Sequence, residues 1–342
     1  MTPNKTDEHR MHQALRLSLR GLGSVAPNPS VGCVITDVTD NVIGTGWTAQ
    51  GGRPHAETQA LAKAAAKTQG GTAYITLEPC AHHGQTPPCS QALIDAKIAR
   101  VFYAIDDPDP RVAGAGAAAL QAANIKVHKG CGAEEAARIN IGFLTRIKKG
   151  RASLTLKLAM SKNGFMRTPE GQSTWITGGI ARRYGHLLRA QHDAIITGSG
   201  TLIADNPSLD CRLSGMAHRS PLPVVMTKDP IDLSDTKLSA RALHSTASPE
   251  VVLKDLAANH NVNAALLECG PTLARSFMEA GLVDAVALFE APHDVFPPIL
   301  SAPLQKSNSD AEYIGWRLAD FTCTEDIMLA QDRYRLFYKH II

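Results

Sequence analysis

The chain has 342 residues, a length typical of about two domains that each bury their own core. Hydrophobic residues make up 44% and charged residues 20%, a composition that excludes an intrinsically disordered protein. The formal net charge is +3 without a dense block of lysine or arginine, which argues against a dedicated nucleic-acid or membrane-surface binder. No apolar run approaches the ~18 residues of a membrane span and the N-terminus lacks an apolar signal region, so we expect a cytoplasmic protein.

The first half of the chain alternates predicted helices and strands. Apolar residues at helical spacing predict a helix around Met11–Leu19, and a hairpin follows across Asp40-Asn41. The other elements predicted in this half are helices at 55–67, 90–96, 115–123 and 134–149 and strands at 72–77, 100–105 and 125–128. This alternation predicts a largely parallel sheet covered by helices.

A basic, glycine-containing stretch ending at Arg151 suggests a boundary, with one domain at 1–147 and a second at 151–342. The elements predicted beyond it are helices at 179–190 and 272–280 and strands at 153–160, 193–197, 223–227, 264–268, 284–290, 313–323 and 325–338. The stretch 229–250, rich in Ser, Asp and Pro, is predicted to be a loop. We expect a second α/β domain with an antiparallel C-terminal edge.

One histidine and two cysteines form the first chemical constellation. The seven cysteines are an odd, scattered set, which argues against a disulfide framework. His55 opens a predicted helix, Cys80 follows a strand and Cys89 starts the next helix, so one imidazole and two thiolates could bind zinc and leave a fourth position open for water. Glu57 is placed to act as a general acid and base.

The pattern H-x-E followed by P-C and a second cysteine is the signature of zinc nucleobase deaminases. Those enzymes use activated water to displace an amine from a ring carbon. The alternative is a structural zinc site, for which His82 or His83 could supply a fourth ligand.

The spacing between the cysteines is longer than that signature. The segment T-L-E-P-C-x-H-H-G-x-T-P-P-C, together with P-N-P-x-V-G-C at 27–33 and P-H-A-E at 54–57, resembles the bifunctional deaminase/reductase of riboflavin biosynthesis. The resemblance covers nearly the whole chain. It implies an N-terminal cytidine-deaminase-like three-layer domain with one Zn²⁺ per chain, and a C-terminal dihydrofolate-reductase-like domain that uses NADPH. In the deaminase it implies that Asn28 and His82 contact substrate, beside the loop that begins at Asp107.

The second domain lacks a G-x-G-x-x-G motif, so NADPH must be held in another way. The turns at 198–201 and 268–273 end strands with glycine and could present backbone N–H groups to a phosphate. The resemblance implies Lys157 and Asp205 as catalytic residues. It also implies NADPH contacts by Ala159, Trp175, Thr201, Asp205, Gly270, Pro271, Thr272 and Leu273. It implies substrate contacts by Ser173, Arg189, Leu209, Arg212 and Glu268, the two arginines meeting the substrate phosphate.

Two residues depart from the family pattern. Asn163 and Asn206 stand where the family usually has aspartate, which leaves the charge near the nicotinamide in question. The segment 291–303 also lacks the glycine pattern expected after a strand.

The resemblance implies a defined pair of reactions. The first domain would deaminate 2,5-diamino-6-(5-phosphoribosylamino)pyrimidin-4(3H)-one, and the second would reduce the ribose of 5-amino-6-(5-phosphoribosylamino)uracil to a ribityl chain. We expect a small-molecule substrate, a homo-oligomer, and neither a nucleic-acid nor a membrane partner. The alternatives are a nucleic-acid (tRNA) editing deaminase with an RNA-binding C-terminal domain, and a structural zinc module attached to a nucleotide-binding domain.

Overall fold

A computed structural model describes residues 3–81, 87–109, 113–166, 175–295, 312–313 and 316–339. The chain folds into two compact units, Met1–Gly150 and Arg151–Ile342. Within the described residues, every helix is too short or too polar to cross a bilayer. The predicted substrate contacts His82 and Ser173 lie outside the described residues.

The first unit contains a five-stranded sheet in the order β2-β1-β3-β4-β5. Its strands are β1 (Gly32–Thr36), β2 (Val42–Trp47), β3 (Thr72–Ile75), β4 (Arg100–Tyr103) and β5 (Lys126–Lys129). Its helices are α1 (Lys5–Ser18), α2 (Ala56–Ala64), α3 (Cys89–Asp95), α4 (Ala115–Ala122), α5 (Ala133–Ile139) and α6 (Ile141–Lys149). β3, β4 and β5 are parallel, but β1 is antiparallel to both of its neighbours. The predicted hairpin is confirmed as the antiparallel β1–β2 pair, whereas the prediction of a largely parallel sheet is wrong for the β1–β3 pair.

Alternating side chains of β1 place helices on both faces of this sheet. Val34 packs with Met11 and Leu15 of α1, whereas Cys33 and Ile35 face the opposite side. That second side is covered by a cluster to which α2, α3 and α4 contribute. The period-two alternation of a strand thus produces the three-layer arrangement.

The second unit contains an eight-stranded sheet in the order β14-β15-β11-β6-β10-β7-β8-β9. Its helices are α7 (Gly179–Ala190), α8 (Ser199–Asp205), α9 (Pro249–Asn259) and α10 (Pro271–Glu279). Its strands are β6 (Ser153–Met160), β7 (Ala194–Gly198), β8 (Leu222–Met226), β9 (Leu243–Ser245), β10 (Ala264–Leu267), β11 (Ala285–Glu290), β14 (Phe321–Leu329) and β15 (Asp332–Lys339). A separate two-stranded pair is formed by β12 (Glu312–Tyr313) and β13 (Trp316–Arg317). The strands from β11 to β9 are parallel, and β15 and β14 form the predicted antiparallel edge.

Three predicted elements differ from the observed ones. The helix predicted at 134–149 is interrupted at Asn140, whose side chain instead bonds to both the N–H and the carbonyl of Ser30. The stretch 229–250 contains β9 and the start of α9. The two C-terminal strands turn at Ala330, whose φ is +60°, and not near residue 324.

Candidate active sites

Two helix N-termini and a strand end bring together the three predicted metal ligands. His55 is the N-cap of α2, Cys89 is the first residue of α3, and Cys80 follows β3. The Nδ1 atom of His55 lies 3.3 Å from Cys89 Sγ and 3.8 Å from Cys80 Sγ. All three ligand atoms lie within 4.8 Å of one another. One nitrogen and two sulfur donors at this spacing are a donor set that suits zinc.

Hydrogen bonds within the cluster prepare Cys80 as a thiolate. The backbone N–H of Cys89 donates to Cys80 Sγ at 3.3 Å, at the positive end of α3. The Cys89 thiol also bonds to Cys80 and, with the charge of His55, lowers the pKa of Cys80 to about 4. The same bond raises the pKa of Cys89, and the bond to Cys80 raises the pKa of His55. Because zinc binds thiolates and neutral imidazole, a bound divalent ion would displace the protons that these groups hold in its absence.

Glu57 lies beside this cluster in the first turn of α2 and is 4% exposed. Burial raises the pKa of its carboxyl, against the opposing charge of His55. A glutamate that holds a proton more readily than usual is suited to take up and return a proton near neutral pH.

Asn28 is half-buried in a loop that the fold holds at several points. Its backbone N–H donates to Val25 O at 3.0 Å. At the far end of the loop, Asn140 bonds to both backbone groups of Ser30, and the Thr48 hydroxyl donates to Pro29 O. These bonds fix the backbone on both sides of Asn28.

Glu78 is a residue whose role sequence reasoning missed. It is 3% exposed, and its carboxylate accepts N–H bonds from Gly114 at 3.0 Å and Ala117 at 3.1 Å, with a longer one from Asp107 at 3.4 Å. Glu78 thus connects the strand end that carries Cys80 to the N-terminus of α4 and to the Asp107 loop. An acidic residue directly before Pro79-Cys80 at the end of a buried strand was the available signal.

In the second unit, three charged side chains meet on one face of the sheet. The Arg189 guanidinium donates Nε and Nη2 to the two carboxylate oxygens of Glu268 at 2.8 and 2.9 Å, and Nη1 to Asp210 O at 3.1 Å. Lys157 Nζ lies 3.7 Å from Glu268. Burial alone would raise the pKa of Glu268, but these two cations outweigh it and lower the pKa to about 2. The Arg189 guanidinium was predicted to contact the substrate phosphate. In this structure it binds the Glu268 carboxylate instead.

The two glycine-containing turns predicted to hold NADPH lie next to each other. Gly198 is the N-cap of α8 and Gly270 the N-cap of α10. A Cβ added to Gly198 would lie 3.3 Å from Leu273 of α10. Neither glycine has a side chain that could cap its helix. Pro271 has no N–H, so the first donors of α10 are those of Thr272 and Leu273; together with the first N–H groups of α8 they could bind an anionic cofactor such as NADPH.

The remaining predicted residues lie on several elements of the second unit. Arg212 is 59% exposed at its side chain, and its backbone N–H donates to His186 Nδ1. Leu209 is buried with a φ of +49°, and Asp205 ends α8. Trp175 is exposed and lies under the guanidinium of Arg182. Thr201 lies in α8, Thr272 in α10, and Ala159 near the end of β6.

Both departures from the family pattern have structural partners. Asn163 donates through Nδ2 to Val295 O at 2.8 Å and accepts from Val295 N–H at 3.0 Å, which an aspartate could not do in both directions. Asn206 adopts a left-handed conformation at the end of α8 and accepts from Lys237 N–H at 3.0 Å. Asn163 therefore anchors the start of the segment 291–303, of which residues beyond 295 lie outside the described part of the chain.

Comparison with known proteins gives the family. A model described as the cytidine and deoxycytidylate deaminase zinc-binding region matches residues 4–105, and a model of the RibD C-terminal domain matches residues 152–295. The riboflavin biosynthesis protein RibD of Escherichia coli is 38% identical over 322 residues, covering 84% of this chain and 88% of the relative. The chain belongs to the RibD family. RibD of Mycobacterium tuberculosis is 37% identical over 294 residues, covering 84% of this chain and 86% of the relative.

Solved structures of RibD proteins match almost the whole chain. Acinetobacter baumannii RibD has a TM-score of 0.83 at 35% identity, covering 98% of this chain and 99% of that one. A Thermotoga maritima protein has a TM-score of 0.79 at 27% identity with the same coverage, and is named a diaminohydroxyphosphoribosylaminopyrimidine deaminase/5-amino-6-(5-phosphoribosylamino)uracil reductase.

These matches confirm several predictions. The chain is a bifunctional deaminase and reductase of riboflavin biosynthesis, with the predicted α/β fold class. They also confirm a zinc-binding deaminase domain and an NADPH-dependent reductase domain, and they do not favour the nucleic-acid-editing alternative. The matches establish the family, whereas the roles of individual residues stay predictions.

Proposed function

We propose that the first unit performs the deamination through His55, Cys80, Cys89 and Glu57. The observation that carries this proposal is the three-donor cluster within 4.8 Å, with the buried Glu57 beside it. Zinc bound by the three donors would supply Lewis-acid activation of water. Glu57 takes a proton from the attacking water and returns it to the departing amine, while Asn28 orients the pyrimidine nucleotide through its amide.

We propose that the second unit reduces the ribose of the deaminated product. NADPH, when bound, supplies the hydride. Lys157, whose Nζ lies 3.7 Å from Glu268, donates a proton to the sugar oxygen that gains negative charge as the ring opens. Arg189 orients Glu268, and the exposed Arg212 meets the substrate phosphate with its forked N–H groups. A direct phosphate contact by Arg189 stays a prediction.

The NADPH contacts proposed for this unit lie at the start of α10, in α8 and on nearby residues. Gly270, Pro271, Thr272 and Leu273 lie at the start of α10, and Thr201 and Asp205 lie in α8. Ala159 and Trp175 complete the proposed set of cofactor contacts, and Leu209 completes the proposed set of substrate contacts.

We further propose that the boundary between the two functions lies near residues 147–151, that the protein is cytoplasmic, and that it forms a homo-oligomer.

An anaerobic assay tests both proposed activities on one sample. The enzyme is given 2,5-diamino-6-(5-phosphoribosylamino)pyrimidin-4(3H)-one and NADPH, and ammonia release, NADPH oxidation and zinc content are measured together. We expect one zinc per chain, and ammonia release before NADPH oxidation. NADPH oxidation without ammonia release from this substrate would contradict the proposed order.

A further inference from the structure

We propose that Gly52 is a positioning residue of the deaminase, because its missing side chain leaves the space that the Asn28 amide fills. This inference rests on the proposed role of Asn28 in substrate binding. Gly52 is buried and lies three residues before the metal ligand His55. It was not among the residues that the sequence patterns pointed to.

The close approach of Asn28 to Gly52 is the central observation. A Cβ added to Gly52 would overlap Asn28 Nδ2 and would lie 2.6 Å from its Cγ and 2.9 Å from its Cβ. Contacts this short are not tolerated between a Cβ and another heavy atom, so either the Asn28 side chain or the Gly52 backbone must move.

Backbone hydrogen bonds hold the Gly52 loop in place. Gly52 N–H donates to Ala49 O at 2.8 Å, and Gly51 N–H donates to Ser24 O at 2.8 Å. Ala49 N–H in turn donates to Pro54 O at 3.1 Å, directly before His55. A retreat of this backbone would break bonds that also support the start of α2. The side chain of Asn28 is therefore the part that yields when a Cβ is added.

Gly51 provides a matched control in the same turn. Both glycines have positive φ, +75° for Gly51 and +86° for Gly52, so alanine is strained at either position. A Cβ on Gly51, however, would meet no heavy atom within 4 Å. Comparing Gly51→Ala with Gly52→Ala separates backbone strain from the collision with Asn28.

The first test observes Asn28 directly and needs no activity. The side-chain amide resonances of asparagine are recorded for the full-length zinc-loaded enzyme, and the pair that disappears in Asn28→Ala is assigned to Asn28. We expect Gly52→Ala to shift this pair and Gly51→Ala to leave it near its original position. Equal shifts in the two variants, or no shift in Gly52→Ala, would overturn the positioning role.

Deaminase kinetics on the same samples form the second test. We expect Gly52→Ala to raise KM by about tenfold or more, as for a lost hydrogen bond to a buried partner, with zinc content unchanged. Gly51→Ala should stay within about twofold of the parent. The double variant Asn28→Gly/Gly52→Ala should match Asn28→Gly within about twofold, because the group that Gly52 positions is then absent and residue 28 keeps no side-chain atom for the added Cβ to meet. A double variant much weaker than Asn28→Gly would show that Gly52 acts through another contact.

These readouts separate two possible failures. If Asn28→Ala leaves the kinetics unchanged while Gly52→Ala shifts the Asn28 resonance, the proposed substrate role of Asn28 fails and the positioning by Gly52 stands.

A further variant is needed if Gly52→Ala does not fold. Asn28→Gly is then combined with Gly52→Ala, since it removes every side-chain atom of residue 28 from the collision. Recovery of zinc content and thermal stability in that double variant supports the inference, and no recovery overturns it.

Discussion

At the residue scale, the structure makes Cys89 a direct test of the metal site. Cys89→Ser replaces one of three donors by a weaker ligand for zinc, so we expect the variant to lose its zinc during dialysis. Metal content is measured by atomic emission. Cys131→Ser is the control, because Cys131 is half-buried outside the three-donor cluster and its variant should keep one zinc per chain. Full zinc occupancy in Cys89→Ser would remove Cys89 from the ligand set.

Glu268 predicts a pH dependence of stability. Its pKa is lowered from 4.5 to about 2 in the folded chain, so the stabilisation is present above pH 4.5 and is lost as the pH falls toward 2. A shift of this size corresponds to about 3 kcal/mol at neutral pH. We expect Glu268→Gln, which leaves Arg189 and Lys157 without their shared anion, to be less stable by about this amount at pH 7.

Urea unfolding at a series of pH values measures this effect. The stability gap between the parent and Glu268→Gln should narrow as the pH is lowered below about 4.5. The exposed residue Glu279 supplies the control, since Glu279→Gln should change stability little at any pH. A gap that stays constant down to acidic pH would mean that Glu268 is not the group that titrates.

At the element scale, the turn after β6 is connected to the segment after β11 through one amide. Asn163 both donates to and accepts from Val295, and Lys162 N–H donates to His293 O at 2.9 Å. Asn163→Asp would lose the donor and place a carboxylate oxygen against the Val295 carbonyl. We expect a loss of about 1–3 kcal/mol in the free energy of unfolding.

Asn206 is the matched comparison, because among the described residues its amide accepts one hydrogen bond, from Lys237 N–H, and donates none. A carboxylate can accept the same bond, so Asn206→Asp should cost clearly less than Asn163→Asp in the same urea unfolding experiment. Equal losses would show that the donor of Asn163 is not what the turn requires.

Local patterns predicted most elements and the cluster of His55, Cys80 and Cys89, whereas long-range pairings could not be predicted. His55, Cys80 and Cys89 were accessible because ligand chemistry and helix starts are both local signals. The partner of Arg189 lies 79 residues away, and the N–H groups that Glu78 accepts lie 29 to 39 residues away. The turn at Ala330 was missed because alanine carries no sequence signal for a positive φ.

At the scale of the whole molecule, each unit has its own sheet and its own core. The first unit buries the cluster around Cys33 and Ile35, and the second buries a cluster around Leu154 and Leu156. The proposed metal ligands and Glu57 belong to the first unit, and the charged cluster around Glu268 belongs to the second. Two chemical steps on separately folded units should respond to separate substitutions.

Glu57→Gln and Asp205→Ala test this separation in opposite directions. Glu57→Gln keeps the shape of the side chain but removes the proton carrier, so ammonia release should fall by ~10²–10⁴-fold. The same variant should still oxidise NADPH when given 5-amino-6-(5-phosphoribosylamino)uracil, because the second unit does not use that carboxylate. Asp205→Ala should release ammonia normally and stall at reduction. Loss of both activities in either variant, with an unchanged melting curve, would mean that the two reactions share one site and would contradict the assignment of one reaction to each unit.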